Sequence, residues 1–450
     1  MKVQILSRKL ITPSSPTPQH LQSLKISYLD QLAPPFYVPR LFCYLPSNEE
    51  QGSLNTGEKS EQLQNSLSET LTLFYPLAGR YIKDKLLVDC NDKGAEYLEA
   101  QVGCSLSQLL REGRIELQSE WLYQLVPNPE ESDTTPLVMI QFNMFECGGV
   151  AVGVSVAHRV ADGSAVFTFI DSWAKISRMG IGNIQSCPSF KLGSILPQRD
   201  VPTPQHWIGV ADHKLTRKRL VFNAAAISSL KAIVTSSSST IESLKYQPTR
   251  VEVVLAFLWM SLIRLAKTRH GHLRPSLLLI PVNMRNKTML PIPENSCGNF
   301  IAQAIPSFFP DDNDEQHDKD NLLQLHEFVG KVHDAIKSTV SKCAKVSSVD
   351  DIVSLVNENG ELLKSMDKPD VEFCISSSWC GFPKYEADFG WGKPAWVHSP
   401  MRPKDGNVIV LMDTKDRDGI EAWATLDKSG MHIFEQDREI MPFFCQQVLP

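Results

Sequence analysis

Two apolar, β-branched segments, Leu137 to Phe145 and Gly149 to Ala157, flank Glu146-Cys147-Gly148 and run straight into His158-Arg159-Val160-Ala161-Asp162-Gly163. Apolar runs of this kind on either side of a short turn signal read as two strands joined by a tight turn, a buried hairpin. From Ser164 to Ala174 the apolar spacing becomes helical. His158 therefore falls at a strand-to-helix junction, where rigid elements on both sides can hold one side chain while the loop between them exposes it.

The chain around this junction has 450 residues, roughly three times the commonest domain size, which points to two similar domains or to one with large insertions. Apolar residues at 42% and charged residues at 21% are ordinary globular usage. A formal charge of -6 and the absence of a dense Lys/Arg stripe leave no electrostatic footprint for nucleic acid or anionic lipid. No apolar run reaches the roughly 18 residues that cross a bilayer. Met1 to Leu10 lacks the uninterrupted apolar stretch of a signal peptide, and Pro13, Pro16 and Pro18 follow at once. Ten cysteines, at 43, 90, 104, 147, 187, 297, 343, 374, 380 and 445, form no CxxC pair or regular framework. Buried reduced thiols in a cytoplasmic protein are the expectation.

Elsewhere, residues 60–73 read as a helix that Phe74 to Gly79 breaks with Pro and Gly. Ser186 to Gln205 carries prolines at 188, 197, 202 and 204 and reads as extended. An interdomain crossover over 189–213 then separates a first domain, 1–188, from a second, 214–450. In the second, Thr235 to Thr240 reads as a serine-rich loop, Pro248 to Leu265 as a helix and Leu277 to Val282 as a buried strand. Asp311 to Asp320 is expected to be a solvated acidic loop, since its spacing fits no calcium loop.

Among eleven histidines, His158 alone has an aspartate four residues on. His20, His206, His213, His270, His272, His317, His326, His333, His398 and His432 lack partners at ligand spacing and read as surface or capping residues, so no metal site is expected. The absence of a GxSxG elbow leaves a serine acyl-enzyme unsupported, and there is no Walker loop or GxGxxG fingerprint. A histidine with an unperturbed pKa of about 6.5 suits the role of general base toward a hydroxyl.

His158 to Gly163 resembles the HxxxDG motif of the plant BAHD acyltransferases, and Asp388-Phe389-Gly390-Trp391-Gly392 matches their second signature, DFGWG. Phe74 to Arg80 (FYPLAGR), Val282 to Arg285 (VNMR), Gly298 to Phe300 (GNF) and Ser378-Trp379 extend the similarity over nearly the whole chain. The resemblance implies an α/β fold of two similar chloramphenicol-acetyltransferase-like domains, each a mixed sheet flanked by helices, with a solvent channel at their interface. It implies direct acyl transfer from acyl-CoA, acetyl-CoA first, to a small-molecule hydroxyl, by a monomer without a permanently bound cofactor. His158 would be the base. Asp162 would point away from it and pair with Arg285, so that its role is support rather than charge relay. Trp379 would donate to the oxyanion or else line the channel wall, and Asn299 is a second candidate donor or a structural residue. Asp388, Gly390, Trp391 and Gly392 would form a packed turn that shapes the domain interface from a distance. Tyr28 to Pro46 resembles the branch that includes alkaloid and terpenoid O-acetyltransferases. Hydroxycinnamoyl or N-acyl transfer, a condensation-like enzyme and a catalytically silent acyl-binding homologue are the rival readings.

Overall fold

The two apolar segments ahead of His158 form β7 (Val138–Phe145) and β8 (Val150–Ala157), paired antiparallel from Met144↔Val150 to Val138↔Val156. Gly148 turns the chain between them at φ +78°, a conformation that glycine adopts at little cost. They lie inside a six-stranded sheet ordered β1 (Val3–Ile11), β6 (Ala95–Val102), β7, β8, β3 (Tyr37–Tyr44) and β14 (Trp396–His398). Its pairings are antiparallel except β6 with β7. The computed structural model describes residues 2–46, 54–111, 119–184, 187–200, 215–236, 246–310, 323–364, 368–401 and 407–443.

One face of this sheet packs on the helices Thr56–Leu73 and Gly163–Met179, through Leu63, Leu67, Leu71, Phe169 and Trp173. The other face meets a second sheet, where Leu41, Cys43 and Phe145 cluster with Trp379, Trp396, Val410 and Trp423. Covered on both sides, every residue of β8 is buried, which is why this strand reads as a continuous apolar run.

The second sheet is ordered β11 (Ile301–Ala304), β10 (Ser276–Asn283), β13 (Glu372–Ser378), β15 (Val408–Asp413), β16 (Ile420–Asp427) and β9 (Leu215–Phe222), with β12 (Ser307–Phe308) also on β10. β10, β13 and β15 are parallel neighbours. The helices Ala224–Ser236, Arg250–His270, Leu325–Cys343 and Lys428–Gln436 cover its far face around Trp259 and Phe328. A three-stranded sheet, β2 (Ser23–Lys25), β5 (Leu87–Asp89) and β4 (Arg80–Ile82), completes the described strands. The result is two mixed sheets flanked by helices, as the α/β expectation has it, with β14 returning from the far side of the crossover to finish the first sheet.

Several boundaries differ from the expectations for physical reasons. The helix expected at 60 starts at Thr56, because Asn55 and Glu58 form a reciprocal capping box. Thr249 and Glu252 do the same for the Arg250–His270 helix, which runs past Leu265 until Gly271 ends it at φ +83°. Thr235 and Ser236 end a helix instead of opening a loop, and 237–240 lie outside the described residues. The acidic run 311–320 and residues 201–213 of the crossover also lie outside them, and the crossover before that point contains a short helix, Leu192–Ile195. The nine cysteines among the described residues form no disulfide, and with Cys187 exposed and Cys104, Cys147 and Cys380 half-buried, burial of every thiol was too strong an expectation. His398 likewise corrects the reading of every other histidine as surface or capping: it is 2% exposed, between Trp396 and Trp423. Among the described residues no helix is long and apolar enough to cross a membrane.

Candidate active site

Where β8 ends, the His158 backbone N–H donates to Phe36 O at 2.9 Å and carries the strand pairing one residue further. His158–Val160 then form one 3₁₀ turn before Asp162 caps the Gly163–Met179 helix. The Arg159 guanidinium locks this turn to the end of the Tyr28–Gln31 helix, donating to Gln31 O at 3.0 Å and Ala33 O at 2.6 Å. Carbonyls left over at a helix C-terminus are natural acceptors for such a cation.

His158 itself is half-buried, and the Phe36 ring stands edge-on to it at 5.7 Å. Its Nδ1 is buried without a hydrogen bond of ordinary geometry. Burial lowers the imidazole pKa below 6.5, against the opposing pull of its own backbone carbonyl, the Asp162 charge and the Asn299 side chain, while the Arg40 charge pushes the same way as burial. Among the described residues no side chain hydrogen-bonds Nε2, the ring nitrogen open to take a proton.

Asp162 does not face His158 in any hydrogen bond. Its Oδ1 accepts from Ala165 N at 2.9 Å, the ordinary N-cap bond. Its Oδ2 accepts from Arg285 Nη1 at 2.7 Å and from Phe300 N at 3.0 Å. Arg285 spends its other donors on Ser296 O, Gly298 O and Asn283 Oδ1. With side chains only 4% and 2% exposed, this is a buried, fully bonded pair of the kind whose disruption strands a charge. The pairing expected between Asp162 and Arg285 is present, and Asp162 holds the helix start against the segment just past β10 that carries Arg285.

Of the two roles expected for Asn299, its contacts are those of a structural residue. Its backbone N–H and its Nδ2 both donate to Asp30 Oδ1, at 2.6 and 2.8 Å, and Nδ2 also donates to His158 O at 2.8 Å. Both amide hydrogens are spent, so Asn299 has none to offer an oxyanion and instead ties the His158 backbone to Asp30. Asp30 also accepts from Ser27 N and Oγ, and burial raises its pKa against these bonds. Gly298 makes room for this arrangement: at φ +117°, a Cβ there would sit 2.8 Å from Leu192 Cδ1 and 3.3 Å from the Asp30 carboxylate. Asp30 was missed in the sequence, although Ser27-Tyr28-Leu29-Asp30 is a capping-box signal. A small pocket beside the turn is lined by Asp30, Val160, Phe190, Leu192, Cys297 and Gly298 among others, and His158 does not line it.

Trp379 is 4% exposed at the end of β13, and its indole N–H donates to Ser377 Oγ at 3.0 Å. The Arg40 guanidinium lies 3.5 Å from its ring centroid. The Asp388–Gly392 loop is elsewhere. Asp388 Oδ1 accepts from Gly390 N at 2.9 Å and Gly392 N at 3.0 Å, and both glycines have positive φ, +109° and +99°. Phe389 O accepts from Gln62 Nε2 and Ser177 Oγ, each at 2.8 Å, and Trp391 packs on Phe389 and Tyr44. Ser177 is near the far end of the Gly163–Met179 helix, roughly 20 Å along its axis from Gly163 at 1.5 Å per residue. Among the described residues, no three His, Cys, Asp or Glu side chains form a metal-holding group.

A model described as the transferase family matches residues 1–441. A pelargonidin glucoside malonyltransferase of Salvia splendens is 35% identical over 454 residues, covering 98% of this chain and 100% of the relative. An acetyl-CoA-benzylalcohol acetyltransferase of Clarkia breweri is 36% identical over 456 residues, with 98% and 100% covered. The crystal structure of vinorine synthase superposes with a TM-score of 0.82 at 29% identity and covers 100% of each chain. A match over this length, together with the HxxxDG turn and DFGWG loop in their expected order, places the chain in that transferase family, the plant BAHD acyltransferases.

Proposed function

We propose that this protein transfers an acyl group, acetyl in the first instance, from acyl-coenzyme A to a hydroxyl of a plant specialised metabolite, directly and with His158 as general base. The observation that carries this reading is the His158 imidazole, fixed at a strand end by backbone and Asn299 contacts, with its charged form disfavoured by burial and no hydrogen bond to Nε2 among the described residues. Among the described residues no Ser or Cys side chain is hydrogen-bonded to His158, which favours attack by the acceptor itself over an acyl-enzyme.

In this mechanism the hydroxyl oxygen forms a bond to the thioester carbonyl carbon while its proton passes to Nε2. The carbonyl π electrons move onto oxygen, then return as the C–S bond breaks, and the imidazolium hands its proton to the leaving thiolate. Trp379 supports the transient oxyanion by exchanging its Ser377 partner for the substrate oxygen. Asp162 and Arg285 act from behind, by fixing the loop that aims His158. Both substrates reach His158 through a channel between the two domains, 1–188 and 214–450. Asp388, Gly390, Trp391 and Gly392 shape that interface without touching the reacting groups.

The acetyl donor follows from the name of the Clarkia breweri relative, and a malonyl donor is the second reading, following from that of the Salvia splendens relative. Free-thiol release from acetyl-CoA, malonyl-CoA and a hydroxycinnamoyl-CoA across a panel of alcohols and amines tests both. Acceptor-dependent thiol release with acetyl-CoA and an alcohol is expected. No release with any pair would favour a silent acyl-binding homologue.

A further inference from the structure

His158 stands where a strand ends and a single 3₁₀ turn follows, so little regular structure holds its backbone. Its N–H donates to Phe36 O at 2.9 Å. Its carbonyl accepts the turn's own bond, from Ala161 N, at a long 3.4 Å, and the short bond, at 2.8 Å, comes from Asn299 Nδ2. An amide 141 positions along the chain is thus the main restraint on the carbonyl of the proposed base.

Asn299 can make that bond in one orientation alone. Its Nδ2 stands between two acceptors, the His158 carbonyl and Asp30 Oδ1, at 2.8 Å from each. A flipped amide would set its own carbonyl oxygen against both. The orientation taken leaves Asn299 Oδ1 buried without a hydrogen bond of ordinary geometry, an unfavourable state that the two N–H bonds offset. Asp30 is what fixes the amide. Among the described residues its carboxylate has no ion-pair partner, and it accepts four hydrogen bonds instead. Ser27 N and Oγ reach Oδ2 at 2.9 and 2.7 Å, and Asn299 N and Nδ2 reach Oδ1 at 2.6 and 2.8 Å. Four donors suit the lone pairs of an ionised carboxylate, and bonds to a charged acceptor are stronger than neutral ones. The capping box of the Tyr28–Gln31 helix holds Asp30 in its turn.

We propose that Asp30 and Asn299 are a positioning pair for the base: the Asp30 carboxylate sets the Asn299 amide, and that amide pins the His158 carbonyl so that the imidazole is presented in one pose. This rests on His158 being the base. The pair acts through His158 rather than on a substrate. Asp162 is bonded elsewhere, so the aim of the imidazole depends on the backbone that carries it and on the Phe36 ring that stands against it. A shift of about 1 Å at a reacting group can cost on the order of 10²-fold in rate. The His158 carbonyl and the Asn299 side chain both raise the ring pKa against burial, which agrees with their lying beside it.

The test is steady-state kinetics of the full-length enzyme with acetyl-CoA and an accepted alcohol, at a temperature where circular dichroism shows each variant folded. Asn299→Ala should lose roughly 10- to 100-fold in kcat with the KM for acetyl-CoA unchanged. Asp30→Ala should do the same, and the double variant should fall no further than the worse single one, because both remove one restraint. Asp30→Asn keeps an oxygen toward Asn299 but turns an N–H against Ser27 N, so it should lower the melting temperature while kcat stays near wild type. A pair with a merely structural role would lower melting temperatures and leave the kcat of folded protein alone. Wild-type kcat in folded Asn299→Ala, additive losses in the double variant, or a kcat in Asp30→Asn as low as in Asp30→Ala would overturn the proposal and leave the base reading standing. Unchanged turnover in His158→Ala would overturn the base reading itself. If Asn299→Ala does not fold, Asn299→Ser replaces it: the shorter side chain cannot reach both acceptors, and wild-type kcat there overturns the proposal.

Discussion

The turn at 158–163 and the loop at 388–392 both contain an aspartate that organises backbone N–H groups, yet they do different work. Asp162 is sealed against Arg285 with its side chain 4% exposed, and it holds the start of a helix beside the His158 imidazole. Asp388 is 20% exposed, folds two positive-φ glycines around itself, and touches Arg178 at 3.5 Å near the helix's other end. The same residue type in two equally recognisable motifs therefore serves positioning in one place and packing in the other. What separates them is the local charge environment.

Substitutions at three places, the Asp162–Arg285 pair, Asp388 and His158, probe that difference in descending order of effect. Asp162→Ala or Arg285→Met strands a buried charge and is expected to cost about 3 to 5 kcal/mol in denaturant unfolding, with activity falling in step. A cost under about 1 kcal/mol would erase the contrast with Asp388. Asp388→Ala removes the acceptor of two backbone bonds, and a loss of about 1 to 3 kcal/mol is expected. The acid midpoint of its kcat/KM profile should match wild type, because nothing in that loop contacts His158. A shifted midpoint would tie the two regions together electrostatically. His158→Gln is the mildest for stability. Because the folded ring has a pKa below 6.5, the unfolded chain takes the proton first, so the stability linked to His158 is present above pH 6.5 and lost as pH falls through the folded value. Wild type should therefore lose slightly more stability than His158→Gln between pH 7 and pH 5, read from melting temperatures, and equal losses would mean that the ring is not perturbed.

Much of this arrangement could be read from the chain. β7 and β8 showed as apolar runs because both of their faces are covered, and His158 lay where the period changes from strand to helix. Arg285 as the partner of Asp162 came through resemblance alone, since nothing local joins residues 123 positions apart. Between the two readings of Asn299 the sequence could not choose, because its amide donors go to Asp30, a residue on a distant helix, and to the His158 carbonyl. Arg40 looked like any strand arginine in a sequence. Its burial against Trp379, with no carboxylate partner among the described residues, is a property of the folded surroundings that no spacing encodes. His398 was hidden for the same reason, because the two tryptophans that enclose it lie on different strands.

The central claim is that His158 strips the proton from the acceptor, and His158→Ala tests it most directly in a thiol-release assay with saturating acetyl-CoA and an accepted alcohol, alongside a melting curve. The expected result is a fall in turnover of roughly 10²- to 10⁴-fold with an unchanged melting temperature at pH 7.5. Turnover within a few-fold of wild type in a folded variant would contradict it.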